Sequence, residues 1–348
     1  MASMQVASVR SSLLLSLAAV GGLLLLRARR RSHGSFASMI QAMRSYFNRR
    51  LHACPHVPIE LESSTSRGAA GHAGNIVRDG FFMKREVENR FENELAFLQR
   101  LREGDTMTLF APEFCGVEII EGTRYLKMLD FLQAFEQASL RQMDVKMGVR
   151  CFAEKELQSR KPRHDLYKRL CKMDASMLTE EENAQQSITK ARWMALRDSM
   201  SSTQTHGFRV DGVVTPTLRR EAFGDLATVR EDADIIKVLQ CFLPPGHEVA
   251  RRVCRQLLAR LASLEAALRE SSLFWASELI GSSLLFAADG TGRCCVWMLD
   301  FGLTCHAPNG PLKHDIEWQL GNHEDGYLLG LKNLRRLWET ILREDQWP

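Results

Sequence analysis

The sequence predicts an α+β protein of two lobes, a small, mostly antiparallel lobe followed by a larger α+β lobe that carries an α-helical insertion. Three observations predict it. Short β-like runs separated by turn signals fill residues 76–128. A long stretch, Ala153 to Met200, is helical in composition and rich in basic residues, with Pro162 as its one interruption. Beyond it, an amphipathic helix over Glu248 to Glu270 precedes two further strands.

The elements follow in chain order. Ser11 to Leu26 is uncharged and leucine-rich, with Arg10 before it and Arg27, Arg29, Arg30 and Arg31 after it. A helix that crosses a bilayer needs about 20 apolar residues, and the excess of arginine on the C-terminal side predicts an anchor with the rest of the chain in the cytoplasm. A signal or organelle-targeting sequence is the competing reading. Phe36, Ile40, Met43, Phe47 and Leu51 then define one helical face dressed by Arg44, Arg49 and Arg50. Such a helix suits a membrane surface, calmodulin, or packing against the domain that follows. Cys54 to Gly74 reads as a linker. The predicted divisions are thus 1–33 for the anchor or targeting segment, 34–69 for the basic helix and linker, 70–131 for the small lobe and 132–348 for the large lobe, with the insertion at 152–206.

Within the small lobe, Ile76-Val77, Phe81 to Met83, Gly116 to Ile120 and Tyr125 to Met128 read as strands, and Glu86 to Leu101 as a charged helix. In the large lobe the apolar stripe Val249, Val253, Leu257, Leu261 and Leu264 marks the long helix. Ser283 to Phe286 and Cys295 to Leu299 form two strands joined through Asp289-Gly290.

Composition narrows the function classes. The chain has 348 residues, a net charge of +4 and 25% charged residues, an ordinary globular balance that does not support nucleic-acid binding. Nine cysteines at scattered spacing, without a Cys-x-x-Cys pair, argue against a disulfide framework or a structural zinc site and for buried thiols in a reducing compartment.

Three groups of residues carry chemistry: Asp144-Val145-Lys146-Met147-Gly148, Ser282 to Phe286, and Leu299-Asp300-Phe301-Gly302. Asp300 ends an apolar strand, a place from which a carboxylate holds Mg²⁺ against nucleotide phosphates. Asp144 and Lys146 lie two residues apart, hence on one side of an extended segment. No His-Arg-Asp loop with its downstream Asn occurs, which disfavours an ordinary protein kinase.

Together these groups resemble the inositol polyphosphate kinase family, whose signature is Pro-x-x-x-Asp-x-Lys-x-Gly; Asp144, Lys146 and Gly148 fit it, and the proline position reads Leu140. Gly71-His72-Ala73-Gly74, Lys84, Glu324 to Tyr327 and Gly330-Leu331 also resemble the family. Lys146 to Arg150, Thr189 to Arg197, Ser201 to Thr203 and Gly207-Phe208-Arg209 are similar to its trisphosphate 3-kinase branch. The resemblance spans roughly residues 70–343.

It implies an ATP- and Mg²⁺-dependent kinase acting on the 3-hydroxyl of inositol 1,4,5-trisphosphate. On that likeness Lys84 meets the nucleotide phosphates with Glu94 as its partner, and Asn75 contacts nucleotide. Leu129, Asp130 and Phe131 form the adenine hinge. Asp144 orients the nucleotide, Asp300 is the Mg²⁺ ligand, and Lys146 touches both the γ-phosphate and the attacking hydroxyl. The inositol phosphate falls to Arg163, His164, Lys190, Arg192, Trp193 and Arg197. Of these, Lys190, Trp193 and Arg197 share a helical face with Met194, while Arg192 points elsewhere. Val214 and Leu303 stand where the 3-kinases usually carry lysines. Those departures keep open a broader inositol polyphosphate kinase and a membrane-tethered inositol-phosphate-binding protein with little turnover.

Overall fold

The computed structural model describes residues 74–88, 90–102, 104–217, 226–345 and 347. The predicted apolar segment 11–26, the basic helix 36–51 and the linker up to residue 73 lie outside the described residues, as does the calmodulin or membrane-surface expectation attached to them.

The small lobe is built from β1 (Ile76–Arg78), β2 (Phe81–Arg85), α1 (Phe91–Arg102), β3 (Phe114–Ile120) and β4 (Thr123–Leu129). Its strands form one antiparallel sheet in the order β1-β2-β4-β3. The helix opens at Phe91 rather than Glu86. The Glu86 N–H donates to the Arg124 carbonyl at 2.9 Å, which prolongs the sheet ladder and keeps that residue extended.

The large lobe follows with β5 (Arg141–Met147), β6 (Pro162–Arg163), α2 (His164–Asp174), α3 (Glu180–Gln185), β7 (Ile188–Thr189), α4 (Lys190–Met200) and β8 (Phe208–Val214). After these come α5 (Asp232–Phe242), α6 (His247–Glu270), β9 (Ser277–Glu278), β10 (Ser283–Ala288), β11 (Cys294–Leu299), β12 (Cys305–His306) and α7 (Tyr327–Glu344). Its central sheet runs β11-β10-β5-β8, antiparallel throughout. The stretch predicted as helical between 153 and 200 is in fact several short helices pinned by the β6–β7 ladder. Pro162 lacks an N–H and sits in β6, where a helix would have needed that donor.

Helices α5, α6 and α7 cover one face of the central sheet. Trp338 of α7 is fully buried between Phe242 and Phe286, and the stripe Val253, Leu257, Leu261 and Leu264 of α6 is likewise inaccessible. Fully burying such side chains is worth about 1.5–3 kcal/mol each. This cover leaves the opposite face of the sheet for the site. The insertion has a small core of its own: Leu166, Leu170 and Ile188, with Trp193 and Leu196 packed against it.

The expected membrane-anchored placement is corrected. Among the described residues no helix is long and apolar enough to cross a membrane. The longest, α6, spans 24 residues but alternates its buried stripe with charged positions such as Arg251, Arg252 and Arg255, the pattern of a helix lying on a core. Of the cysteines among the described residues, Cys254 is buried as expected, whereas Cys115 is exposed.

Candidate active site

The site begins with sheet register. On the open face of the central sheet, Ser283 of β10 pairs with Lys146 of β5, and Lys146 with Arg209 of β8. Two residues along the same strand, Asp144 pairs with Leu285 and Gly212. The period of two therefore brings Asp144 and Lys146 to one face. At the end of β11, Asp300 adopts a left-handed φ of 64°, which asparagine and aspartate tolerate better than most residues. That turn sends the carboxylate toward the small lobe. Phe301 then stacks on Phe97 of α1 with ring centroids 4.6 Å apart, fixing the turn against the small lobe.

Asp300 joins the two lobes. Its Oδ1 accepts from Lys84 Nζ at 2.7 Å and its Oδ2 from Lys146 Nζ at 3.0 Å. Lys84 also donates to both oxygens of Glu94 on α1, each at 2.8 Å, and Lys146 to Ser283 Oγ at 2.6 Å. Burial alone would push the Asp300 carboxyl up. Lys146 and Lys84 outweigh it and hold the group well below the usual carboxylate range. Asp144 goes the other way: burial pushes its carboxyl up, with Lys146 3.8 Å from Oδ2 opposing. Its Oδ1 is buried and has no hydrogen-bond partner among the described residues.

Glycines permit the close crossing behind this face. Gly148 has a φ of 101°, and a Cβ there would lie 2.8 Å from the Asp325 carbonyl oxygen. Its N–H donates to the Gly207 carbonyl at 2.7 Å. Three blocks of sequence, around residues 148, 207 and 325, thus meet at one crossing that no larger residue would allow.

A cleft of about 360 Å³ opens in front of Asp300 and is shared by the two lobes and the insertion. Lys84, Lys146 and Asp300 form one wall; Arg163, Lys190, Trp193 and Arg197 form part of the other. The helical face predicted for Lys190, Trp193, Met194 and Arg197 is turned into it. Several of these cations hold local acids. Arg163 clasps Asp165 at 2.7 and 2.6 Å, Lys190 pairs with Glu156, and Arg197 reaches Asp211 at 2.9 Å.

Other predicted residues stand apart from the cleft. Arg192 braces the insertion from within, donating to Glu182 at 3.1 Å and to the Met177 carbonyl at 3.0 Å. The His164 ring contacts the Gln186 carbonyl at 2.8 Å. Asn75 is buried and accepts the Arg85 N–H at 2.9 Å, tying the start of β1 to β2. The Leu129 N–H is taken by the Glu113 carbonyl and that of Asp130 by the Gly80 carbonyl. The Asp130 carboxylate caps the short turn that begins at Phe131, and Phe131 stacks on Trp297 with centroids 3.9 Å apart. Reading the sequence missed Asp211 and Asp198. Both bind Arg209, at 3.1 and 3.6 Å respectively. For Asp211 a signal existed, since it follows Arg209 by two residues in a strand; Asp198 sits on a different element and gave none.

Residues 125–339 match the inositol polyphosphate kinase family. Over 277 residues the chain is 38% identical to human inositol-trisphosphate 3-kinase A, covering 76% of this chain and 56% of that protein. Against human inositol-trisphosphate 3-kinase B the identity is 37%, covering 76% of this chain and 27% of the relative. The Caenorhabditis elegans inositol-trisphosphate 3-kinase homolog is 31% identical over 283 residues, 80% of this chain and 56% of the relative. The chain therefore spans little more than half, or less, of the length of these curated relatives. The fold is similar to that of inositol phosphate multikinase from S. cerevisiae, solved with ADP and Mn²⁺, with a TM-score of 0.50 and 16% identity over 76% of this chain and 100% of that one.

Proposed function

Since the chain belongs to the inositol polyphosphate kinase family, we propose that it transfers the γ-phosphate of ATP to the 3-hydroxyl of inositol 1,4,5-trisphosphate. The observation that carries this reading is Asp300 held between Lys84 and Lys146 at a cleft whose far wall bears Arg163, Lys190 and Arg197. One wall suits nucleotide phosphates, the other a polyanionic acceptor.

Phosphoryl transfer asks a protein mainly for positioning and for neutralisation of charge. Lys84, steered by Glu94, takes the α- and β-phosphates. Lys146, held by Ser283 and Asp300, faces the γ-phosphate and the attacking hydroxyl. Asp130 and its neighbours Leu129 and Phe131 border the base, and Asn75 holds the first hairpin over the nucleotide. Arg163 and Lys190 exchange their carboxylates for substrate phosphates, Arg197 meets a phosphate while staying on Asp211, Trp193 backs them, and Arg192 and His164 hold the insertion in shape.

The residues present fit Mg²⁺. Among the described residues no group of three or more His, Cys, Asp or Glu side chains forms a dedicated cage. Magnesium is commonly held by one or two carboxylates and completed by substrate phosphates. Asp300 supplies one, and the unpartnered Oδ1 of Asp144 is a second oxygen on the same face. Bound with the nucleotide, the metal supplies charge neutralisation across the phosphates.

A broader inositol polyphosphate kinase is favoured by one observation: Leu303, an uncharged residue, lines the cleft. Incubating the full chain with labelled ATP and a panel of inositol phosphates, then resolving the products, tests both. A single 1,3,4,5-tetrakisphosphate product supports the trisphosphate 3-kinase reading, and several products support the broader one. Binding without product would point to a protein that has lost turnover.

A further inference from the structure

Around the insertion the cleft contains a carboxylate that the proposed chemistry does not use. The acids lining the cleft are Glu94, Asp211 and Asp300. Glu94 and Asp300 are engaged by Lys84 and Lys146. Asp211 lies at a bulge in β8: Val145 pairs with Val210 and Asp144 with Gly212, so Asp211 is the extra residue between them. Bulges beside functional sites re-aim a side chain, and this one adds an acid to a basic cleft.

Arg197 Nη2 at 2.9 Å and Arg209 Nε at 3.1 Å both donate to Asp211 Oδ1. Among the described residues the hydrogen bonds to Asp211 fall on that oxygen, which leaves Oδ2 for the occupant of the cleft. Neutralising Arg209 does not by itself require Asp211, because the fully buried Asp198 stands 3.6 Å from the same guanidinium. Burial works against ionisation of Asp211, but Arg209, Arg197 and Lys146 outweigh it and keep the group an anion.

A fixed anion in a pocket for polyanions repels them, and like charges brought together cost several kcal/mol. Specificity is frequently built from such repulsion. We propose that Asp211 determines acceptor specificity: Oδ2 accepts a hydrogen bond from a free ring hydroxyl of the inositol phosphate, and the charge rejects acceptors phosphorylated at that carbon. This rests on the reading of the cleft as an inositol-phosphate site.

The test compares kcat/KM of the full chain for tris-, tetrakis- and pentakisphosphate acceptors in the wild type, Asp211→Asn and Asp211→Glu. In Asp211→Asn the preference for trisphosphate over at least one more highly phosphorylated acceptor should fall by about tenfold or more. The KM for ATP should stay constant, and Asp211→Glu should keep the wild-type preference. A common loss for all acceptors in Asp211→Asn would overturn the inference, for then Asp211 only positions Arg197. Should the variants not fold, binding to the wild type decides. Inositol hexakisphosphate, which has no free hydroxyl, should compete with trisphosphate about tenfold less well or worse, and equal competition would overturn the proposal. A wild type that neither binds nor phosphorylates any inositol phosphate would instead overturn the kinase reading beneath it.

Discussion

The two walls of the cleft are held by different means. On the nucleotide side, Lys84 and Lys146 are 14% and 19% exposed; the Lys84 bond to Asp300 crosses from the small lobe to the large, and Lys146 holds the same carboxylate from within the large lobe. On the insertion side, Arg163 and Lys190 are each 37% exposed and pair with acids of the insertion itself. Ion pairs at that exposure are weak, because water screens the charges and holding two mobile side chains together costs entropy. A phosphate can therefore displace them at little cost, whereas the Lys84–Asp300–Lys146 bridge is pre-set before any ligand arrives. One wall is built to hold geometry, the other to exchange partners.

The largest effect is expected where the two regions join. Arg150, 2% exposed, pairs with the buried Glu278 at 2.7 Å and donates to the carbonyls of Phe152, His323 and Glu324 at the root of the insertion. Arg150→Met should cost about 3–5 kcal/mol in urea unfolding, because it takes the guanidinium from a buried carboxylate and leaves it the His323 ring, 3.1 Å from Oε2. A loss below about 1 kcal/mol, the surface-pair range, would mean that the root is not the rigid joint described here.

Next in size comes the pre-set wall. Asp300→Asn keeps the shape of the side chain and removes its charge. Turnover should drop by about 10²–10³-fold, the range for removing one preorganised electrostatic group, while the chain still folds, with a lowered unfolding midpoint because Lys84 and Lys146 lose a charged partner. Near-normal activity would remove Asp300 from the chemistry and erase the contrast between the walls.

Arg197→Ala probes the exchanging wall. Losing a charge-assisted contact should cost about 1.5–3 kcal/mol, or roughly ten- to a hundredfold in kcat/KM for the inositol phosphate. The KM for ATP should hardly move. Equal weakening of both substrates would show that α4 supports the fold rather than the acceptor.

How much of this was legible in the sequence follows the same division. The strand pair 283–288 and 294–299, the apolar stripe of α6 and the Asp144–Lys146 face were readable because burial imposes periods of two and 3.6 on the residues themselves. Glu94 beside Lys84 was readable through the resemblance. The insertion was read as helical, but its division into short helices was not. The β6–β7 ladder between residues 162 and 189 breaks it at both ends, and a helix cap at Thr179 and a left-handed Gln186 break it in between. The spacing of Arg209 and Asp211 hinted at their ion pair, but the bulge that adds Asp211 to the cleft depends on the partner strand, and nothing in Val210-Asp211-Gly212 announces the extra residue. Asp198 pairs with Arg209 across two elements, beyond the reach of local pattern.

The smallest effect separates two substitutions that sequence alone treats alike. Val214 and Leu303 both stand where a lysine is expected, yet the structure sets them apart. Val214 ends β8 opposite Gln142 and is not part of the cleft lining. Leu303 lines the cleft beside Gly281 and follows directly on the Asp300 turn. A lysine at 303 would add a charge within reach of the acceptor, although half-exposed and partly screened. The expected gain is accordingly modest, about two- to fivefold in kcat/KM for trisphosphate, corresponding to a pair worth roughly 0.5–1 kcal/mol. Val214→Lys should change it less. Steady-state kinetics at low and high salt distinguishes the two, since a screened surface charge loses its benefit as ionic strength rises. A larger gain from Val214→Lys than from Leu303→Lys would show that the acceptor lies nearer the end of β8 than the cleft described here, and the exchanging wall would have to be redrawn around that strand.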